Sequence, residues 1–227
     1  MYSEIQIIKM CEDAMKKPDT FYKQDFINYR GNTVNSDAPY TEVIAKFILE
    51  NLSQYIIPQI TREKSYFTDG HDGIYSPTSN REEEIIAMEL FKRSQDGHQY
   101  NFIGKIIDYQ TPLKNKRSDE AGKIDLLSFD DSKLYILELK KPDSEESMLR
   151  CVLEGYTYLQ TVDKIKLLKD FGLPENINVV ACPFVFKNGK QHKEMQENRP
   201  WLFKLMELLN SKPYYIAENN GFYSVEE

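Results

Sequence analysis

Asp125, Glu138 and Lys140 are the residues of this chain whose types and spacing could do chemistry. They lie in KIDLLSFDDSKLYILELKKP, residues 123–142, where two apolar runs flank the polar Asp130-Asp131-Ser132-Lys133. Charges inside strands this apolar are costly unless paired, hydrogen-bonded or bound to a metal. Two carboxylates and a lysine in one hairpin suit a hard divalent cation and an activated water.

Strand side chains alternate faces, so Glu138 and Lys140 point the same way as Leu134 and Ile136. Tyr135, Leu137 and Leu139 point the other way. With Asp131 and Ser132 at the tip of the turn, antiparallel pairing sets Asp125 opposite Glu138. Directly opposed side chains have Cβ atoms about 4.5–5.5 Å apart. At that separation two carboxylates can grip one cation; without it they set two negative charges against each other. The plainer alternative is an exposed cross-strand ion pair between Glu138 and Lys140. It is disfavoured because the rest of 134–139 is apolar, as in a strand covered on both faces. An acid-x-lysine triplet alone says little, since Asp131-Ser132-Lys133 has the same form and reads as the turn.

On these residues the chain resembles the PD-(D/E)xK nuclease superfamily, whose fold is restriction-endonuclease-like. Asp125 matches the family's aspartate on the second core strand, and Glu138 and Lys140 match its acid-x-lysine on the third. Ile124 stands at the position of the proline that names the motif. The resemblance implies that Asp125 and Glu138 hold Mg²⁺, or Mn²⁺ in its place, with the backbone carbonyl of Leu139. It implies that Lys140 orients or deprotonates the attacking water, or stabilises developing charge. Burial would depress the lysine's pKa for that work, while the neighbouring carboxylates pull the other way.

The order of elements fits. A helix begins near Asn80 with REEEIIAMELFKR, its apolar stripe being Ile86, Ala87, Leu90 and Phe91. The family places an acid on this first core helix, facing the metal; that role falls to Glu83, with Glu82 as the near alternative. Asn80-x-x-Glu83 equally fits a capping box. Residues 101–109, 123–129 and 134–140 read as three strands, 145–161 as a helix and 177–186 as a fourth strand. On the helix, Arg150, Glu154 and Tyr158 recur at i, i+4, i+8. Some helicase-fused nuclease branches carry Gln-x-x-x-Tyr here. Glu154-x-x-x-Tyr158 has that spacing with a different first residue, and a solvated Arg-Glu pair is the simpler reading.

The expected fold class is therefore α/β: a restriction-endonuclease-like core with a central mixed four-stranded sheet flanked by helices, in the order α-β-β-β-α-β. The whole of 1–227 reads as a single domain. Residues 1–79 form a mostly helical extension, 80–186 the nuclease-like core, and 187–227 a C-terminal helix and hairpin. In the extension, 3–16 and 40–52 read as helices, and the segment between them as a surface wrap. In the C-terminal part, a helix starts at Pro200, and Asn219-Asn220-Gly221 turns a hairpin.

The chain has 227 residues, 41% of them hydrophobic and 29% charged, ordinary for a globular protein. No apolar run approaches membrane-spanning length, which excludes a membrane partner on this reading. Cys11, Cys151 and Cys182 are scattered and odd in number, as expected of reduced thiols in a cytoplasm. His71, His98 and His192 are too dispersed to form a ligand pattern, and His71 and His192 read as surface loop residues. The net charge of −7 argues mildly against nucleic acid, but local charge matters more. Lys114, Lys116 and Arg117 cluster before the Asp125 strand. Lys187 and Lys190 lie after the fourth strand, followed by His192 and Lys193. Together these are candidates for a phosphate-backbone track.

The function expected is a magnesium-dependent nuclease hydrolysing phosphodiester bonds, with DNA as the first expectation, and a homodimer is an allowed assembly. The rival is a catalytically silent nucleic-acid-binding or protein-interaction module on the same fold. A third reading is an enzyme acting on RNA or free nucleotides.

Overall fold

Ser3 opens the first helix through a reciprocal cap. Its hydroxyl accepts from the Gln6 N–H at 3.3 Å, and the Gln6 side chain accepts from the Ser3 N–H at 2.8 Å. The structure is a computed structural model that describes residues 1–75, 81–115 and 122–227. Helices α1 (Glu4–Ala14) and α2 (Tyr40–Glu50) occupy the two expected stretches. The segment between them does more than wrap the surface. Two short 3₁₀ turns, Pro18–Lys23 and Asp25–Asn28, drive Phe21 and Ile27 into the core with no exposure. Aromatic residues in a polar stretch were the signal, because their apolar area is large enough to decide burial.

Helix α3 (Glu82–Gln95) then leads to β1 (Lys105–Pro112), β2 (Lys123–Phe129) and β3 (Lys133–Leu139). The strand expected at 101–109 begins late, at Lys105. Residues 100–104 form a tight turn, with Tyr100 and Gly104 exchanging backbone hydrogen bonds of 2.8 and 2.9 Å. Gly104 has φ +71°, and a Cβ there would press on the Phe129 carbonyl oxygen. The close approach of the turn to β2 therefore needs glycine. Helices α4 (Met148–Thr161) and α5 (Lys164–Asp170) cross to β4 (Asn178–Phe186). Helices α6 (Lys190–Glu194) and α7 (Pro200–Leu208) lead to β5 (Tyr214–Asn219) and β6 (Phe222–Glu226).

The sheet is mixed and runs β1-β2-β3-β4-β5-β6, with six strands where four were expected. The C-terminal hairpin, expected outside the core, extends its sheet: β5 lies parallel to β4, with Phe184 opposite Tyr214 and Phe186 opposite Ile216. The run Tyr214-Tyr215-Ile216-Ala217 is buried throughout. An apolar run of this kind is covered on both faces only inside a sheet, which is why the hairpin docks. Its turn is Asn220-Gly221, both at positive φ, as a tight primed turn requires.

Strict alternation along β4 divides the core in two. Val179, Ala181 and Val185 face a layer with residues of α1, α2, α4 and α7. Val180, Cys182, Phe184 and Phe186 face a smaller layer with α3. The sheet thus carries helices on both faces, α4 on one and α3 on the other. Among the described residues no helix is long and apolar enough to cross a membrane.

Candidate active site

Asp130 builds the turn that sets the β2–β3 register. Its Oδ1 accepts from the N–H groups of Ser132 (2.9 Å) and Lys133 (2.8 Å), and its Oδ2 from the Tyr135 hydroxyl (2.6 Å). Asp131 takes the left-handed conformation at the tip, φ +70°. Leu126 pairs with Leu137 and Phe129 with Leu134. Continued by one pair, that register sets Asp125 opposite Glu138, as the sequence predicts.

Asp125 sits at the mouth of the resulting cluster. Its Oδ2 accepts from the Leu139 N–H at 3.0 Å, and its Oδ1 from the Gln110 amide at 3.0 Å. Burial, with Glu154 and Glu83 adding to it against the pull of Lys140, pushes the carboxyl up to about 7, as loss of water disfavours the anion. Glu138 is deeper, 3% exposed. Its Oε1 accepts from Lys140 Nζ at 2.7 Å, and its Oε2 is buried with no hydrogen-bond partner. Burial and the charges of Asp125 and Glu154 raise it well above the usual carboxylate range. Opposite Glu138 on β4 stands Pro183. Proline has no N–H to give, so the ladder lacks a donor beside the site.

Lys140 is buried and ringed by carboxylates, with Nζ 2.7 Å from Glu138, 2.9 Å from Glu146 and 3.3 Å from Glu154. Burial alone would lower its pKa, but Glu138 and Glu154 outweigh it and hold the ammonium well above its ordinary value. The shift is therefore opposite to the depression expected from burial: the carboxylates around Lys140 raise its pKa and favour the ammonium.

Helix α4 supplies what the helical spacing alone would leave in solvent. Glu154 is 9% exposed, and its Oε1 accepts from the Tyr158 hydroxyl at 2.8 Å. Tyr158 lies 3.5 Å, hydroxyl to hydroxyl, from Tyr22 of the first 3₁₀ turn. Burial raises Glu154 while Lys140 and Tyr158 lower it, and the net is below the usual range. Arg150 Nε sits 2.8 Å from Glu146. The recurrence at i, i+4, i+8 was the available signal. Its direction was not, because Arg-Glu spacing on a helix looks the same whether it faces water or a buried lysine.

Glu83, on the first turn of α3, accepts from the Lys141 N–H at 3.1 Å, and Glu82 pairs with Lys141 Nζ at 2.8 Å. Glu82, Glu83 and Glu84 line one cavity of about 410 Å³ with Asp125, Gln110 and Lys141. Arg81 is the N-cap of α3 and makes no side-chain cap. Asn80 of the expected capping box lies outside the described residues. Gln110, Glu146, Glu154 and Tyr158 are the site residues that sequence reasoning missed or set aside.

The basic clusters are not gathered at this cavity. Lys114 lies just past the end of β1, its carbonyl accepting from Arg62 at 2.9 Å. Lys116 and Arg117 lie outside the described residues. Lys187 pairs with Glu226 at 2.6 Å, and Lys190 pairs with Glu145. His71 is not a bare loop residue: its Nδ1 is 2.5 Å from the buried Asp108, and its ring stacks on Tyr109 at 4.3 Å. The three cysteines are free and buried.

Among the described residues no group of three or more His, Cys, Asp or Glu side chains is arranged to hold a metal ion. The pair Asp125–Glu138 nonetheless fits one. Glu138 Oε2 is a buried carboxylate oxygen without a donor. Beside a second carboxylate, it is the donor set that a hard cation satisfies. Comparison with protein-family models, with curated proteins and with solved structures finds no match.

Proposed function

We propose that this chain is a metal-dependent nuclease that hydrolyses phosphodiester bonds, with DNA as its first substrate, on a restriction-endonuclease-like core of the PD-(D/E)xK type over residues 80–186. The observation that carries the reading is Glu138 Oε2, a carboxylate oxygen buried without a partner beside a carboxylate that repels it. Leaving such an atom unsatisfied is costly, and a divalent cation would satisfy it. The element order α3-β1-β2-β3-α4-α5-β4, in which α5 is an added helix in the crossover, supports the core.

Asp125 and Glu138 would hold Mg²⁺, or Mn²⁺, with the Leu139 carbonyl; one or two protein carboxylates suffice for Mg²⁺, which keeps several waters and takes substrate phosphate oxygens. Bound there, it supplies a Lewis acid and a water of lowered pKa. Lys140, favoured as the ammonium, donates hydrogen bonds and positive charge. The raised pKa favours orienting the attacking water, or stabilising the charge growing on the phosphate, over removing the proton. Glu154 positions Lys140, and Tyr158 positions Glu154. Glu83 holds the Lys141 backbone against α3, which keeps the end of β3 in place beside Asp125.

The test is incubation with Mg²⁺ or Mn²⁺ and a mixture of labelled duplex DNA, single-stranded DNA and RNA. Metal-dependent cleavage lost in Asp125→Asn is the expected result. One observation favours a second reading, the catalytically silent binding or interaction module: three carboxylates already surround the lysine ammonium, which has three hydrogens to give. Oligonucleotide binding without cleavage under every metal would select it.

A further inference from the structure

Glu146 joins the candidate site to a second cavity. Its carboxylate lies 2.9 Å from Lys140 Nζ, and the same residue lines a space of about 340 Å³. Four cations from three separate segments line that space: Arg30 from the N-terminal part, Lys190 and Lys193 from α6, and Arg199 at the start of α7. Four acids, Glu145, Glu146, Glu194 and Glu197, line the same space, and two of them are committed elsewhere. Glu146 serves Lys140 and Arg150. Glu194 accepts from the Met148 N–H at 2.8 Å, at the start of α4.

The other two acids already sit among the cations, Glu197 on Arg199 and Glu145 on Arg30 and Lys190. The Glu145 carboxylate pairs with both Arg30 and Lys190, and Arg30 also donates to the Glu145 carbonyl at 2.7 Å. Glu145 does not satisfy the cavity. Arg199 gives one nitrogen, Nη2, to Glu197 at 2.6 Å, while its Nε and Nη1 are buried with no acceptor. Loss of water and the like charges of Arg30 and Lys193 hold the Lys190 ammonium below its usual value. The Glu145 side chain remains 65% exposed, so little holds it in place. Exposed ion pairs are weak, and a phosphate offers more charge and more acceptor oxygens than a carboxylate.

We propose that this cavity is a phosphate-binding subsite for the nucleic-acid substrate, and that Glu145 is the internal anion which an incoming phosphate displaces. The subsite rests on the nuclease reading above and lies one side chain, Glu146, from Lys140. It departs from the track expected from sequence: Lys190 belongs to it, whereas Lys187 is paired with Glu226 on the sheet edge. The phosphate comes either from the backbone or from a strand's 5′ end.

The experiment measures binding of labelled oligonucleotides, with 5′-phosphate or 5′-hydroxyl, to the full chain in EDTA over a range of salt. Lys190→Gln and Lys193→Gln, both surface substitutions, should each reduce the slope of log affinity against log salt by about one. Glu145→Gln should bind about two- to fivefold tighter than wild type, because the competing ion pair is gone. A thermal melt of each variant checks that the fold is kept. A loss confined to the 5′-phosphorylated strand assigns the terminal phosphate, and an equal loss assigns the backbone; both support the subsite. Unchanged slopes in both lysine variants, with wild type still cleaving, overturn the subsite and leave the nuclease standing. If wild type neither binds nor cleaves, both fall.

Discussion

Glu154 on α4 reaches Lys140 at the end of β3, carboxylate to ammonium, at 3.3 Å, and both are buried. This contact ties the crossover helix to the strand that carries the candidate chemistry. It also contributes to the raised pKa of a lysine in the core: the carboxylates around it more than offset the loss of water.

If Asp125 holds the cation, it should set the pH dependence of metal binding. Its folded value near 7 lies above the 3.8 of the free side chain, so ionisation costs stability in the folded state. On this group's account stability rises as pH falls from about 7 towards 4, and the anion a cation needs is fully formed only above about 7. Mg²⁺ should therefore raise the melting temperature more at about pH 8 than at about pH 6, by binding the native state alone. Asp125→Asn should abolish the increase. An increase that persists in the mutant places the metal elsewhere.

Removing Lys140 should cost both activity and stability. Lys140→Ala leaves Glu138, Glu146 and Glu154 facing one another, and breaking a buried pair on one side costs about 3–5 kcal/mol. Cleavage should fall about 10²–10⁴-fold. Adding Glu154→Gln should restore part of the melting temperature without restoring cleavage. If cleavage returns with stability, the lysine is structural.

Tyr158→Phe tests the chain of hydrogen bonds behind Glu154. A hydrogen bond to a charged group is worth about 1.5–3 kcal/mol, and the variant should be less stable by that order. If Tyr158 positions the site, kcat should drop while substrate KM changes little. A raised KM with kcat unchanged would instead assign it to substrate binding.

Gly104→Ala should destabilise the β1–β2 pairing. The positive φ alone costs about 1–3 kcal/mol for a side chain, before the collision with the Phe129 carbonyl is counted. Urea unfolding measures it. A neutral substitution would show that the 100–104 turn can shift.

The three thiols should be silent in the native state. Cys11 and Cys182 are pushed up to about 12 by burial, and Cys151 is raised well above its ordinary value. The thiolate is the reactive form, so burial withholds it. A thiol reagent should label none of them quickly until denaturant is added, and then all three. Rapid labelling of one in native buffer would mark a site of local opening.

The β2–β3 hairpin was legible because two local rules agree. Side chains alternate with period two, and Asp130 to Lys133 carry the turn, so the register had one solution that buried Leu126, Leu134 and Leu137. The helix expected at 145–161 was legible too, although it starts at Met148, where Ser147 caps it by accepting from the Arg150 N–H. The start of β1 was not. Phe102 and Ile103 favour a strand by type, but the glycine that permits the turn acts through a contact with Phe129, at the far end of β2.

By itself the sequence determined which residues are paired in the candidate site: Asp125, Glu138 and Lys140 follow from pleat and turn, both local. Only the tertiary structure decided what surrounds them. Glu154 and Tyr158 turn inward because α4 is packed on the sheet, and Tyr22 meets Tyr158 across 136 residues of chain. The raised pKa of Lys140 owes part of its size to Glu154 from that helix, beside Glu138 on its own strand. The two added strands depend on β4 offering its edge to β5. Each of these is a balance of desolvation against a partner supplied from elsewhere in the chain, and no local pattern of residues records that partner.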